Sequence, residues 1–356
     1  MSPSSYTPLP PEGNPVMRES IVSTSEGSYA ELKRMLRAEG LFRLQWRYYA
    51  VKSSMTIGTL AGLVALALWS PNPAVLVLSA IGFGLVLTQI GMLGHDVAHR
   101  QVFRRKRWIT LSGWVLGNLL MGVSYSWWTQ KHNRHHANPN NLTKDPDANY
   151  PMFVVATSQI PSRSSYMRPI IAAQAFLLPV FGSMLFISMR AASFVHVSRR
   201  LTKMSVIQIL GLVAHLALFG LLLTQRGGWG SALVFLLFSQ LTFGLYNVAV
   251  FAPNHKGMPT LADGETLDFL RSQVLTARNV RGSRLVDFLY GGLNYQIEHH
   301  LFPTMPRNRL KLAQPLVRRF CEQYKVSYHQ TSVAVSYREI FSFLHRLSAP
   351  IREGTA

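Results

Sequence analysis

The sequence predicts an all-α integral membrane protein, with four transmembrane helices in two hairpins and a cytoplasmic helical cap around a histidine-rich site. Three observations predict it. Of its 356 residues 48% are hydrophobic and only 15% charged, against about a quarter charged in a soluble chain. The apolar residues are bunched into runs approaching the roughly 20 needed to cross a bilayer. The histidines gather near the ends of those runs, as HxxxH, HxxHH and QxxHH.

Residues 1–27 are rich in Ser, Pro and Glu and have no apolar core. They read as a disordered lead, not a signal peptide. Residues 28–350 form a single domain and 351–356 a tail. Tyr29 to Tyr49 has a helical pattern, with Leu32, Leu36, Leu44 and Trp46 on one stripe and basic residues around it. Such a helix either lies on the membrane surface or packs on the domain.

Spans are expected near 53–70, 74–94, 206–224 and 232–251. The joint between the first two has no Lys or Arg, whereas basic residues crowd their outer ends. The positive-inside rule therefore puts both termini, and the histidines, on the cytoplasmic side. Trp108 to Val123 is apolar but short, and lies between two histidine clusters. To keep both clusters on one face it must be re-entrant or interfacial. The same parity applies downstream. Arg190 to Lys203 carries four basic residues, whereas the joint Gln225 to Ser231 carries only Arg226. The last two runs are thus the spanning hairpin, and Ile170 to Met189, broken by Pro179 and carrying Gln174, lies at the interface. Past Ala252 the chain is soluble in character. A basic helix covers Pro306 to Tyr324, and an amphipathic one covers Tyr337 to Leu347, with Ile340, Phe341, Leu344 and Leu347 on one face.

The net charge of +20 suits cytoplasmic loops of a membrane protein better than nucleic-acid binding. The single cysteine, Cys321, excludes an intrachain disulfide, a cysteine-based zinc site and an iron–sulfur cluster.

Residues three and four apart share a helix face. His95 and His99 therefore stand together, as do His132, His135 and His136, and His299 and His300 form a third cluster. Imidazole suits Fe, Zn, Cu or Ni, and seven histidines exceed one tetrahedral zinc site, so two metals are expected. His255, just past the last span, is well placed but has no spacing to support it. Gln296 either bonds a ligand or caps its helix. Asp96 and Glu298 read as partners of imidazole N–H groups, and Asp145 and Asp147 as a turn that supplies further partners. Trp127 and Trp128 either line a substrate tunnel or, as the favoured reading, are interface aromatics, and His196, His215, His329 and His345 read as structural.

HDVAH, KHNRHH and GGLNYQIEHHLFPTMPR in this order resemble the boxes of membrane fatty acid desaturases. The similarity is greatest to the acyl-lipid and front-end branch and its actinobacterial members, and it covers roughly Tyr29 to Leu347. It implies two iron ions held by His95, His99, His132, His135, His136, His255, His299 and His300. It also implies an acyl tunnel leading to the metals, and a water-mediated role for Asn247. Front-end members often carry a fused b-type cytochrome with an HPGG motif. This sequence has none, which points away from front-end regiochemistry and toward a separate donor.

The expected reaction is O2-dependent desaturation of a fatty acyl chain, carried by coenzyme A, acyl carrier protein or a glycerolipid, in a bacterial cytoplasmic membrane. Electrons are expected from a ferredoxin or b-type cytochrome with its reductase, since no nucleotide fingerprint is present. The basic run Arg100, Arg104, Arg105, Lys106 and Arg107 either docks that acidic carrier or anchors anionic membrane lipid. A hydroxylase or acetylenase would use the same boxes. A zinc hydrolase would need a carboxylate base at the metal, and a metal transporter would need its ligands near the bilayer midplane.

Overall fold

The computed structural model describes residues 28–225, 227–265 and 267–355. The expected disordered lead and Arg226 lie outside these residues. The first helix, α1 (Tyr29–Ala38), is capped by Ser28, whose hydroxyl accepts from the Glu31 amide. Leu32 and Leu36 are fully buried against the core, each contributing about 2 kcal/mol of transfer free energy. The helix therefore packs its apolar stripe on the domain. It is also shorter than expected: Gly40 turns left-handed at φ +67°, and Trp46 already opens the next helix.

Helices α2 (Trp46–Trp69) and α3 (Pro73–Ala98) form the first hairpin. Asn72 caps α3 by accepting from the Ala74 amide at 2.8 Å, with Pro73 at the first position, where its missing N–H costs nothing. The 26 residues of α3 exceed the roughly 20 of a crossing, and the surplus carries His95 beyond the apolar stretch.

Helix α4 (Lys106–Gly113) continues as wider π turns over Trp114–Met121 and stops at Gly122, φ +67°. Together the two stretches, Lys106 to Met121, fall short of a crossing, in keeping with a re-entrant or interfacial segment. Ser124 then caps α5 (Tyr125–Ala137), accepting from the Trp127 amide.

The next apolar stretch breaks at a different residue from the one expected. It forms α6 (Arg168–Ala172), α7 (Gln174–Ser183) and α8 (Leu185–Ser198). The 63° bend falls between Ser183 and Leu185, while Pro179 lies inside α7. Together α7 and α8 have the length and composition of a broken crossing or a re-entrant loop. Gln174 is buried because it is satisfied: it accepts from the Val154 amide at 3.0 Å and donates to the Leu344 carbonyl at 3.3 Å.

Helices α9 (Lys203–Thr224) and α10 (Gly228–His255) form the second hairpin. Among the described residues, four helices are thus long and apolar enough to cross a membrane. α10 lies along α3 so closely that a Cβ on Gly84 would sit 2.3 Å from the Ser239 carbonyl oxygen. α9 holds the π turns: the Trp114 indole donates to the Ile207 carbonyl at 3.0 Å and the Asn118 amide to that of Gln208 at 3.3 Å.

Beyond α10, α11 (Phe269–Leu275), α12 (Arg284–Leu289), α13 (Gln296–Leu301), α14 (Arg307–Gln323), α15 (Val333–Leu347) and α16 (Ala349–Arg352) complete the fold. One short parallel pair, β1 (Asn279–Val280) with β2 (Gln330–Thr331), ties the approach of α12 to that of α15. On α15, Ile340, Leu344 and Leu347 are buried as expected, but Phe341 is 38% exposed. The expected tail is partly ordered, with Ile351 and Arg352 ending α16 and Arg352 donating to the His345 carbonyl.

Candidate metal centre

Eight histidines from four helices converge in two groups. His95 and His99 come from the last turn and C-cap of α3, and His132, His135 and His136 from α5. His255 ends α10, and His299 and His300 lie on α13. His95, His99, His132, His136 and His299 offer ring nitrogens all within 4.8 Å of one another. His135, His255 and His300 form a second group by the same measure. His136 and His300 stack at 4.3 Å between centroids and join the two groups.

The proton positions follow from what each outer nitrogen touches. His255 Nδ1 lies 2.9 Å from the Thr276 carbonyl oxygen, which only accepts, so Nδ1 carries the proton. Gln273 donates its amide to the His136 carbonyl, which turns its oxygen toward His300 Nδ1 at 2.9 Å. His135 Nδ1 donates to Asp145 at 3.0 Å, and His95 Nδ1 to Asp96 at 3.3 Å. In neutral rings the opposite Nε2 atoms then hold lone pairs. These lone pairs face one another, with His135 and His255 at 3.3 Å and His255 and His300 at 3.0 Å. Such pairs repel unless a cation sits among them. Burial pushes His99, His132, His136, His299 and His300 well below the usual imidazole range, and neighbouring histidines push them further. The rings are therefore neutral ligands at physiological pH, as metal binding needs.

The buried Asp96 is also clamped by Arg307 at the start of α14. The Arg307 guanidinium donates to the Met92 carbonyl as well, and its backbone amide donates to Gln101 Oε1 at 3.0 Å. Asn140, left-handed at φ +55°, donates its amide N–H to Asp145 and its side chain to the carbonyls of His255, Pro259 and Thr276.

The structure corrects several expectations. Glu298 touches no histidine. It accepts from Asn279 and Tyr328, both at 2.7 Å, because on α13 it is turned 100° from His299. Burial pushes its carboxyl up to about 7. Glu298→Gln keeps an acceptor for Asn279 and turns an NH2 donor toward the Tyr328 hydroxyl oxygen, and it is expected to retain metal and activity within about threefold, whereas a true imidazole partner costs 10- to 100-fold. Metal analysis and a turnover assay of that variant check this.

Asn247 is committed to Thr88 and the Phe243 carbonyl, two turns of α10 before His255, and makes no hydrogen bond to a histidine. Gln296 does reach the site, with its amide nitrogen 3.0 Å from His255 Nε2 and its oxygen buried without a partner. Asp145 is a histidine partner more than a turn residue. Asp147 instead pairs with Lys131, at 3.8 Å from His135. Trp128 is no interface aromatic: it stacks on His132 at 4.5 Å and lines a narrow apolar cavity of about 40 Å3 with His95, Met121, Val123 and Met189. The five basic residues of the run after His99 are all exposed. His215 is structural as expected, held by the Leu119 carbonyl at 2.9 Å. Gln273, Thr276 and Arg307 were not singled out, since nothing in sequence links them to histidines far along the chain.

The profile of the fatty acid desaturase family matches residues 71–332. An acyl-lipid (9-3)-desaturase of Physcomitrium patens is 30% identical over 341 residues, 91% of this chain and 63% of the relative. The Delta(5) fatty acid desaturase fat-4 of Caenorhabditis elegans is 31% identical over 308 residues, 82% of this chain and 67% of the relative. The Delta(6) fatty acid desaturase fat-3 of the same organism is 27% identical over 315 residues, 85% and 70% respectively. The chain therefore spans just under two thirds of the first of these relatives.

Proposed function

The chain belongs to the fatty acid desaturase family, and from that premise we propose that it introduces a double bond into a fatty acyl chain at two iron ions held by its eight clustered histidines. The observation that carries this reading is the inward-facing set of Nε2 lone pairs in His135, His255 and His300, with their outer nitrogens held by Asp145, Thr276 and Gln273. One metal would rest on that group and the other on His95, His99, His132, His136 and His299. When bound, iron supplies the redox chemistry with O2 that acid–base side chains do not.

The balance is simple. A –CH2–CH2– unit loses two hydrogens, and O2, two electrons and two protons complete the formation of two waters. The two electrons come from a separate donor, a ferredoxin or b-type cytochrome with its reductase, docked on the exposed Arg100, Arg104, Arg105, Lys106 and Arg107. The chain's own residues orient and exclude. Asp96, Asp145, Gln273 and the Thr276 carbonyl fix the imidazoles. Trp128, Met121, Val123 and Met189 form a dry wall beside His95 where the reacting methylenes lie. The carboxylates of Asp96 and Asp145 are engaged on imidazole N–H groups and that of Asp147 is paired with Lys131, which speaks against their serving as the base of a zinc hydrolase. The histidines sit at helix ends facing the cytoplasm of the host membrane.

The test is expression with a ferredoxin and its reductase, followed by gas chromatography–mass spectrometry of fatty acid methyl esters. A new unsaturated acid, absent with His132→Ala, is expected, and its formation rate in vitro should fall as salt is raised. A hydroxy acid would instead assign a hydroxylase. Zinc without iron in protein from iron-replete cells would overturn the oxidative reading.

A further inference from the structure

The apolar cavity beside His95 is walled by a turn that a buried charge holds from behind. Met121 and Val123 stand on either side of Gly122, where the π turns stop, and Met189 of α8 adjoins them in the wall. The Met121 side chain reaches across to α3, where a Cβ on Gly91 would sit 3.1 Å from its Cε. Gly91 precedes His95 by four residues, so the thioether stands one helical turn, about 6 Å along α3, from His95. That distance is the length of a few methylenes.

The residues that fix this turn do not line the cavity. Arg190 follows Met189 and is the only Lys, Arg, Asp or Glu in α7 or α8. A charge within such an apolar segment turns toward the protein interior and pairs there. The Arg190 guanidinium donates to the Gln240 side-chain oxygen of α10 at 2.7 Å and to the Met121 carbonyl at 3.1 Å. It also faces Nε2 of His215 on α9 at 3.5 Å. His215 Nδ1 donates to the Leu119 carbonyl at 2.9 Å, which leaves the Nε2 lone pair for the guanidinium. The His215 ring fills the space beside Gly122, where a Cβ would collide with it. On the far side of the turn the Ser124 amide donates to the Ser193 hydroxyl of α8 at 2.9 Å. The backbone of the turn is thus gripped from α8 and α9, while the side chains of Met121 and Val123 face the cavity.

We propose that Arg190 and His215 are positioning residues that set the depth of this cavity, and so decide which methylenes of the acyl chain lie beside His95. This rests on the desaturase reading and deepens it, by assigning the choice of chain length and bond position to a polar clamp behind the wall. A guanidinium suits the task because its rigid fork meets two acceptors at once. An acceptor left unpaired there would be costly, so the wall keeps one place.

The test supplies myristate, palmitate and stearate to cells expressing the full chain with a ferredoxin and its reductase. Product length and bond position are read by gas chromatography–mass spectrometry. Wild type should prefer one length and one position. Arg190→Gln should reduce that preference about tenfold, the worth of a methylene or so in an apolar pocket, with iron content unchanged. Arg190→Lys keeps the charge but not the fork and should fall between the two. Gly122→Ala pushes the turn through the His215 ring and should shift the profile without touching the charge. The same acids are added to purified protein without a donor, where the rise in melting temperature reports binding, and Arg190→Gln should lose the wild-type order of lengths.

A folded, iron-replete Arg190→Gln with the wild-type profile and order of binding would overturn the proposal. So would an equal shift in Ser332→Ala, which only removes the N-cap of α15, or a wild type without preference in either readout. Should Arg190→Gln fail to fold, Gly122→Ala decides by the same readouts. Binding is read without turnover, so a chain that distinguishes the acids but makes no double bond would count against desaturation alone.

Discussion

His255→Ala is expected to reduce product formation by more than about 100-fold and to remove about half of the bound iron. His255 is the centre of the smaller group, with Nε2 3.3 Å from that of His135 and 3.0 Å from that of His300. Its removal leaves only two imidazoles, those of His135 and His300, in the smaller group, too few to hold a metal. The larger group keeps its five rings, so one iron of the two should remain. Loss of a residue that merely orients a ligand costs 10- to 100-fold, and loss of the ligand should exceed that. Gln296→Ala, which removes only the amide beside the same nitrogen, sets the comparison and should stay within that lower range. Iron analysis with fatty acid profiling of the variants decides between them. Two irons per chain at wild-type rate in His255→Ala would refute the ligand assignment.

The second large effect is expected at Arg307. Arg307 is 4% exposed and the Asp96 it clamps is 2% exposed. Removing one partner of a buried pair leaves an uncompensated charge and costs about 3–5 kcal/mol. Arg307→Met should therefore lower the melting temperature markedly. It should also reduce iron content, because Asp96 then lacks the partner that aims it at His95. Asp96→Asn in the Arg307→Met background removes the stranded charge and should recover most of the stability. The double variant should not recover full metal affinity, since asparagine is a poorer partner for the His95 N–H. Equal melting temperatures for wild type and Arg307→Met would show that the pair holds nothing together.

The parts legible in sequence are those encoded locally. The spans follow from runs of apolar residues, and the histidine boxes from spacing on a helix face. His255 needed more than spacing, because a single ligand carries no repeat. Gln273, Thr276 and Arg307 were illegible for a stronger reason: they act on residues 27, 21 and 211 positions away, and no period connects such pairs. Glu298 misled because adjacency in sequence is not adjacency on a helix face. Asp145, ten residues from His135, was half legible as an acidic residue just after a box. The early end of α1 turns on the φ of Gly40, which composition does not report.

The bend between α7 and α8 contrasts with α3 and α10, each a single helix from apolar stretch to histidine, with Pro253 of α10 just ahead of His255. A rod of that kind is a lever. Spans adapt to bilayer thickness by tilting, and here any tilt moves His95 relative to His255. The two rods touch backbone to backbone at Gly84, which makes that crossing the fulcrum. The spacing between the two metal groups thus becomes a property of the surrounding lipid as well as of the protein. Were the proposed reaction to act on the acyl chains of that same membrane, its product would alter the spacing of the histidine groups that make it.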